Sequence, residues 1–219
     1  MKCTFGIISC PDTCRQIGGV IGSINAYAPV NYEIIVIGGN SISPEHNLTY
    51  IPFDESQKKS WITKKKNIIT DLAQYDIIVY MHDYVELMPG WSDGFDDLEP
   101  WDVCMSRIFT QNGQRFRDWV AWDDPQFPGG GRIMEKWCPP EGIRMTGSMT
   151  IVPYDYTNTQ YMYVSGAYWV AKKKFMLEYP LNEDLSWGEG EDVEWSYRAR
   201  KTWKYKMNTL SRVRFNKPK

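Results

Sequence analysis

The 219-residue sequence lacks most of the signatures that assign a protein quickly. No window approaches the roughly 18 consecutive apolar residues of a membrane-spanning helix. The N-terminal apolar run, Cys3 to Ser9, is too short for a secretory signal, so a cytoplasmic protein is expected. On that view the sequon Asn47-Leu48-Thr49 is a chance occurrence. Charge of one sign is also missing: the formal net charge is -2, which argues against a nucleic-acid partner. The five cysteines (Cys3, Cys10, Cys14, Cys104 and Cys138) are odd in number and scattered, with no C-x-x-C pair. They read as reduced thiols in a cytosol-like compartment, not as a zinc cluster or disulfide framework. Only two histidines occur, His46 and His82, and there is no G-x-S-x-G, which removes a Ser-His-Asp hydrolase. Without G-x-G-x-x-G or G-x-x-x-x-G-K-[ST], neither a dinucleotide fingerprint nor a P-loop is supported. No internal repeat or low-complexity tract is present.

What the chain does have is apolar and aromatic residues. Hydrophobic residues make up 42%, enough for one substantial core, and aromatics 15%, including ten Trp and fourteen Tyr. Cys3–Ser9 and Glu33–Ile37 read as buried strands, the second stopped by Gly38-Gly39-Asn40. A helix is expected between them, capped by Asp12 or Thr13 and running to about Tyr27. Tyr50–Phe53 reads as a short lateral strand. Ser60–Gln74 reads as a helix with Trp61, Ile62, Ile69 and Leu72 on one side and a lysine-rich face. Asp76–Met81 is a fourth strand ending at His82-Asp83-Tyr84. Strands alternating with helices imply an α/β fold with an open, mostly parallel twisted sheet. Ligands of such sheets bind beyond the carboxyl ends of the strands, here Ser9-Cys10, Gly38-Gly39 and His82-Asp83. Later, Trp101–Ile108 and Tyr161–Ala171 read as strands and residues 111–160 as long loops. Asp192–Thr202 is expected to be helical and Lys204–Asn208 to form the last strand.

One segment stands out chemically: Trp187-Gly188-Glu189-Gly190-Glu191-Asp192-Val193-Glu194-Trp195. Trp presents a flat apolar face that suits a sugar ring, and Gly allows close backbone approach. A carboxylate beside such a platform can act as general base toward a hydroxyl. The same acids could equally serve a helix N-terminus by complementing its dipole. His82-Asp83 offers an imidazole and a carboxylate that could hold a divalent cation, or it is an ordinary strand-ending turn. The run Lys64-Lys65-Lys66 reads on its own as a solvated helix face, with contact to a diphosphate as the alternative. His46 reads as plain surface.

In their order these motifs resemble a GT-A-fold glycosyltransferase of family 2-like type. Phe5-Gly6-Ile7-Ile8-Ser9-Cys10-Pro11 is similar to the family's first strand and nucleotide loop. Glu33-Ile34-Ile35-Val36-Ile37-Gly38-Gly39-Asn40-Ser41 is similar to its E-I-I-V-V-D-D-G-S, and Lys65-Lys66-Asn67 to its A-R-N. His82-Asp83-Tyr84 stands where the family has D-x-D, with Pro89 downstream. Ser165-Gly166-Ala167 is similar to the later Gly-Ala element, and Glu191-Asp192 with Arg198 to the acidic motif. Trp187-Gly188-Glu189-Gly190-Glu191-Asp192 also resembles the W-G-W-G-G-E-D segment of galactosyltransferases. The departures are Gly38-Gly39 in place of two aspartates, the acid of the metal motif moved to its middle position, and no histidine after His82.

The resemblance implies one domain over 1–219, with about 1–100 binding a nucleotide-sugar and about 101–219 binding the acceptor. It implies transfer from a UDP-sugar to an acceptor hydroxyl with inversion, assisted by Mn²⁺ or Mg²⁺ at Asp83 and His82. Ser9, Cys10, Gly38, Gly39, Lys66, Asn67, His82 and Asp83 are then expected around the donor. Trp187, Gly190 and Glu191 are expected around the acceptor, with Asp192 as the base and Glu191 orienting the acceptor. A non-catalytic sugar- or nucleotide-binding relative with a degraded metal site is the alternative. Oligomeric state is not expressed in the sequence.

Overall fold

The computed structural model describes residues 1–10, 16–43, 46–122, 124, 132–133, 146–147, 149–186 and 188–216. The chain begins β1 (Lys2–Ser9), α1 (Ile17–Tyr27), β2 (Asn31–Gly38), β3 (Leu48–Ile51), α2 (Ile62–Leu72), β4 (Ile77–His82) and β5 (Val85–Leu87). It continues with β6 (Val103–Thr110), β7 (Val120–Trp122), β8 (Arg132–Ile133), β9 (Thr146–Gly147), β10 (Met149–Ile151), β11 (Met162–Tyr163) and β12 (Tyr168–Lys172). It closes with α3 (Lys173–Glu178), α4 (Glu191–Ala199) and β13 (Tyr205–Phe215).

Eight strands form one sheet in the order β3-β2-β1-β4-β12-β6-β13-β5. The β3-β2, β2-β1, β1-β4 and β6-β13 pairings are parallel, and β12 runs antiparallel between β4 and β6. β1 and β4 are near-continuous apolar runs because they are interior strands, as expected where both faces of a parallel sheet are covered. α2 lies against β1 and β2. It can approach closely because Gly6 has no side chain: a Cβ there would overlap Ile69, whose Cδ1 would stand 3.0 Å away. β7, β10 and β11 make a smaller antiparallel sheet.

The α/β architecture, the buried strands and α2 follow the sequence expectations, and the differences have local causes. α1 ends at Tyr27 as expected, while its anticipated caps Asp12 and Thr13 lie outside the described residues. The lateral strand falls at Leu48–Ile51, two residues earlier than read, and does occupy the sheet edge. Leu72 does not join the apolar side of α2: it is 53% exposed, whereas Lys65 and Lys66 are fully buried. The expected strand 161–171 is two strands, because Ser165-Gly166-Ala167 turns between them and Tyr168 N–H closes the turn on Ser165 O at 3.0 Å. β13 runs seven residues beyond the expected Asn208, past a bulge between Asn208 and Arg212. Asn208 Oδ1 accepts the N–H groups of Leu210 and Ser211 there, replacing lost ladder bonds. Residues 111–160 are less loop-like than expected, since Val120–Trp122 pairs with both β10 and β11. The short elements β5 and α3 left no clear sequence pattern.

Gly6 tests the packing of α2 on the sheet. Gly6→Ala should cost about 1–3 kcal/mol, the usual scale for overpacking a tight core. Urea denaturation would show a lower midpoint with an unchanged slope. An unchanged midpoint would mean that α2 does not sit directly on β1.

Candidate active site

Three strand ends meet at one edge of the sheet. The parallel register sets Ser9 beside Gly38 and Ile8 beside His82. Asp83 follows His82 and is buried; its N–H donates to Ile8 O at 3.2 Å, and its Oδ2 accepts Ser9 Oγ–H at 2.7 Å. Gly38 and Gly39 have φ of 80° and 71°, the left-handed region that favours glycine. At Gly38 a Cβ would also strike Ser9 O at 2.6 Å. Ser9, Cys10, Gly38, Gly39, His82 and Asp83 therefore gather as the sequence suggested.

Lys65 belongs to the same edge, and the sequence reading missed it. Its buried Nζ donates to Ser9 O at 2.8 Å, pairs with Glu55, and lies 3.8 Å from Cys10 Sγ. Its neighbours on α2 point elsewhere. Lys66, expected at the donor diphosphate, is completely buried and donates to Gly166 O at 2.9 Å. Its Nζ stands 3.7 Å from Glu191 Oε1 and 4.0 Å from the centre of the Trp169 ring. Asn67, also expected at the donor, has its amide committed to Leu181 and Glu183.

The acid segment converges on the same place. Gly190 takes φ 74° and starts α4, putting Glu191 and Asp192 in its first turn. Asp192 Oδ2 accepts Gly166 N–H at 2.9 Å and Oδ1 accepts Val193 N–H at 3.0 Å. Gly166 is required for this approach, since a Cβ would meet Asp192 Oδ2 at 2.8 Å and Glu191 Oε1 at 3.1 Å. The next residue, Ala167, accepts His82 N–H through its carbonyl at 3.0 Å. One turn thus bonds the end of β4 on one side and the Asp192 carboxylate on the other. The remaining acids are occupied: Glu194 pairs with Arg198, and Glu189 accepts Ser186 N–H. Trp187 lies outside the described residues.

The electrostatics of this cluster are unusual for surface acids. Burial, reinforced by the Glu191 charge, pushes Asp192 up to about 7, with Lys66 and two backbone N–H donors opposing the rise. Burial pulls Lys66 down to about 8, against the pull of Glu191 and then Asp192. A carboxylate with such a value can both accept and release a proton near neutrality.

No family model matches the sequence, and no curated protein matches it. Solved structures do share its fold. A structure of GalNAc-T7 with UDP, GalNAc and Mn²⁺ superposes with a TM-score of 0.66 at 13% identity, covering 98% of this chain and 43% of that one. The fold is of the GT-A type. S. aureus TarS (residues 1–349) gives a TM-score of 0.63, also at 13% identity, covering 99% of this chain and 60% of that one. The chain therefore spans less than two thirds of the length of these GT-A structures. At this identity the likeness establishes architecture; family 2 membership and the galactosyltransferase-like segment are not established by it. No described helix is long and apolar enough to cross a membrane.

A divalent cation is part of what the GT-A resemblance implies. Among the described residues no three His, Cys, Asp or Glu side chains converge to hold one. His82 and Asp83 supply one imidazole and one carboxylate at the end of β4. Such a partial donor set fits Mg²⁺ or Mn²⁺ only where phosphate oxygens and water complete the shell, a usual arrangement for Mg²⁺.

Asp192 also makes stability pH-dependent in a defined direction. Between about 4, where an unfolded aspartate ionises, and about 7 the native state holds a proton that the unfolded chain has released. Stability contributed at this site therefore falls as pH rises through that window. Asp192→Asn removes the dependence. Urea denaturation over a pH series should show the variant gaining on the native protein from about pH 4 to pH 7, then levelling. A difference that does not vary with pH would show that Asp192 titrates as an ordinary carboxylate.

Proposed function

We propose that the protein transfers a sugar from a nucleotide-sugar, a UDP-sugar in the first instance, to an acceptor hydroxyl, with inversion at the anomeric carbon. The observation that carries this reading is Asp192: a carboxylate of raised pKa, aimed by Gly166 and Val193 N–H groups, one turn from the strand-end site of a GT-A sheet. The UDP in the GalNAc-T7 structure supports the choice of donor.

In this mechanism the nucleotide lies along Ser9, Cys10, Gly38 and Gly39, where glycine backbone and the Lys65 charge border the strand ends. The acceptor oxygen attacks the anomeric carbon as the bond to the diphosphate oxygen breaks. The diphosphate departs with the bonding electron pair, and the acceptor proton passes to an Asp192 oxygen. A divalent cation, held by Asp83 and His82 together with the diphosphate, would neutralise charge on the leaving group. Glu191 orients the acceptor by hydrogen bonding, and Trp187 is assigned to the acceptor sugar. Lys66 acts on the acids instead of the diphosphate: it keeps part of the negative charge of Glu191 and Asp192 balanced, so that Asp192 can ionise near neutral pH.

The sparse donor set at His82-Asp83 favours a second reading, a nucleotide-binding relative without turnover. Two measurements separate them. UDP should raise the melting temperature on either reading; at a hundred times Kd the gain is about 2.7 kcal/mol. The absence of a shift with any nucleoside diphosphate, with or without Mn²⁺, would contradict both. Asp192→Asn should lower transfer by about 10²-fold or more, the scale of general-base removal, with UDP binding retained. Native transfer should rise with pH and level above about 7, as the base ionises. Near-native turnover in Asp192→Asn would refute Asp192 as the base, and UDP binding without transfer from any nucleotide-sugar would favour the second reading.

A further inference from the structure

The helix α2 presents three consecutive polar residues to three different parts of the site. Lys65 holds the end of β1, Lys66 holds the 166 turn and Glu191, and Asn67 holds the segment that leads into α4. The Asn67 contacts are reciprocal. Its Oδ1 accepts Leu181 N–H at 3.0 Å, while Nδ2 donates to Leu181 O at 3.0 Å and to Glu183 Oε1 at 3.0 Å. A single side chain thus fixes both backbone polar groups of Leu181, which defines position and orientation together. The grip continues along the segment. Trp61 Nε1–H donates to Glu183 O at 2.8 Å, and Lys58 Nζ reaches Glu183 O at 2.7 Å and Asp184 O at 2.9 Å.

From the other side, α4 holds the chain just before Leu181. Trp195 Nε1–H donates to Tyr179 O at 2.6 Å, and Arg198 donates to Pro180 O at 2.9 Å. Beyond the clamp, Ser186 N–H donates to Glu189 Oε2 at 2.6 Å and Glu189 N–H to Ser186 O at 3.1 Å, and Gly190 then starts α4. Glu191 and Asp192 are also held directly, by Lys66 and by Gly166 N–H, and α4 by Val164 N–H donating to Ser196 Oγ. The clamp at 181–184 holds the segment that enters α4 from its N-terminal side.

We propose that Asn67 is a positioning residue. By fixing Leu181 and Glu183 it sets the placement of the segment that delivers Glu191 and Asp192, and it does not contact the donor. The proposal rests on the transfer reading for its kinetic consequence only; its structural content is independent of it. Misplacing a reacting group by about 1 Å can cost 10²-fold in rate, so loss of this clamp should act on turnover and not on donor affinity.

Asn67→Ala removes all three contacts. Asn67→Asp keeps the acceptor for Leu181 N–H but sets a carboxylate against Leu181 O and Glu183, and it serves as the second variant should Asn67→Ala fold poorly. The expected result in the folded variant is kcat lower by about 10- to 100-fold, donor KM within about twofold of native, the UDP-induced melting shift retained, and faster amide hydrogen exchange across 181–190. A raised donor KM with unchanged kcat would overturn the proposal, because it would place Asn67 on the donor. Native-like exchange protection of 181–190 would also overturn it. Absence of transfer in the native protein with every nucleotide-sugar would count against the transfer reading instead, and the exchange measurement would still decide whether Asn67 holds the segment.

Discussion

The candidate site depends on one buried ammonium. Lys66 Nζ lies inside the protein between Gly166 O, Glu191 and the face of Trp169. An exposed lysine–glutamate pair contributes about 0–1 kcal/mol and is screened by salt. Breaking a buried pair by removing one partner costs about 3–5 kcal/mol, because a charge is left without compensation. The second regime applies to Lys66. Its burial requires Gly166 and Glu191 to be where they are, and their placement in turn carries Asp192 to the end of β4. The cluster joins residues a hundred positions apart in sequence, so it ties the first half of the sheet to the helix that supplies the acids.

The balance within the cluster has a chemical consequence. Two carboxylates and one ammonium share a small volume, and the excess negative charge together with burial raises Asp192. An aspartate left at its usual value near 4 would be a weak base toward a hydroxyl at neutral pH; one raised toward 7 lies where general-base catalysis is most effective. Glu191 is thus doubly placed, as partner of Lys66 and as neighbour that raises Asp192. Gly166 permits the arrangement by leaving room for both acids.

Much of the fold was legible in the sequence, because its central strands are buried on both faces. The apolar runs of β1, β2 and β4 have no other plausible fate, and the alternation with helices then dictates a parallel sheet with its site at the strand ends. The acids at Glu191-Asp192 stood out as a motif, though Gly190 at the N-cap and acids in the first turn also suit an ordinary helix start. What separates them from one is their burial against Gly166 and Lys66. Lys65, Lys66 and Asn67 were not legible in their true roles. A lysine run on an amphipathic helix looks the same whether its charges face water or distant partners, and those partners (Ser9, Gly166, Glu191 and Leu181) become neighbours only through the tertiary fold. The break at Ser165-Gly166-Ala167 was hidden likewise, since beyond its local Tyr168 N–H to Ser165 O bond the turn is held by groups from α2 and α4.

A crystal structure of the protein with UDP tests the central claim most directly, namely that the strand ends and the α4 acids form a single reaction site. The account predicts the nucleotide against Ser9, Cys10 and Gly38-Gly39, with the terminal phosphate on the side of His82-Asp83 and open space between it and Asp192 for a sugar and an acceptor hydroxyl. UDP bound away from these strand ends, or bound there with Asp192 turned away from the phosphate, would contradict it.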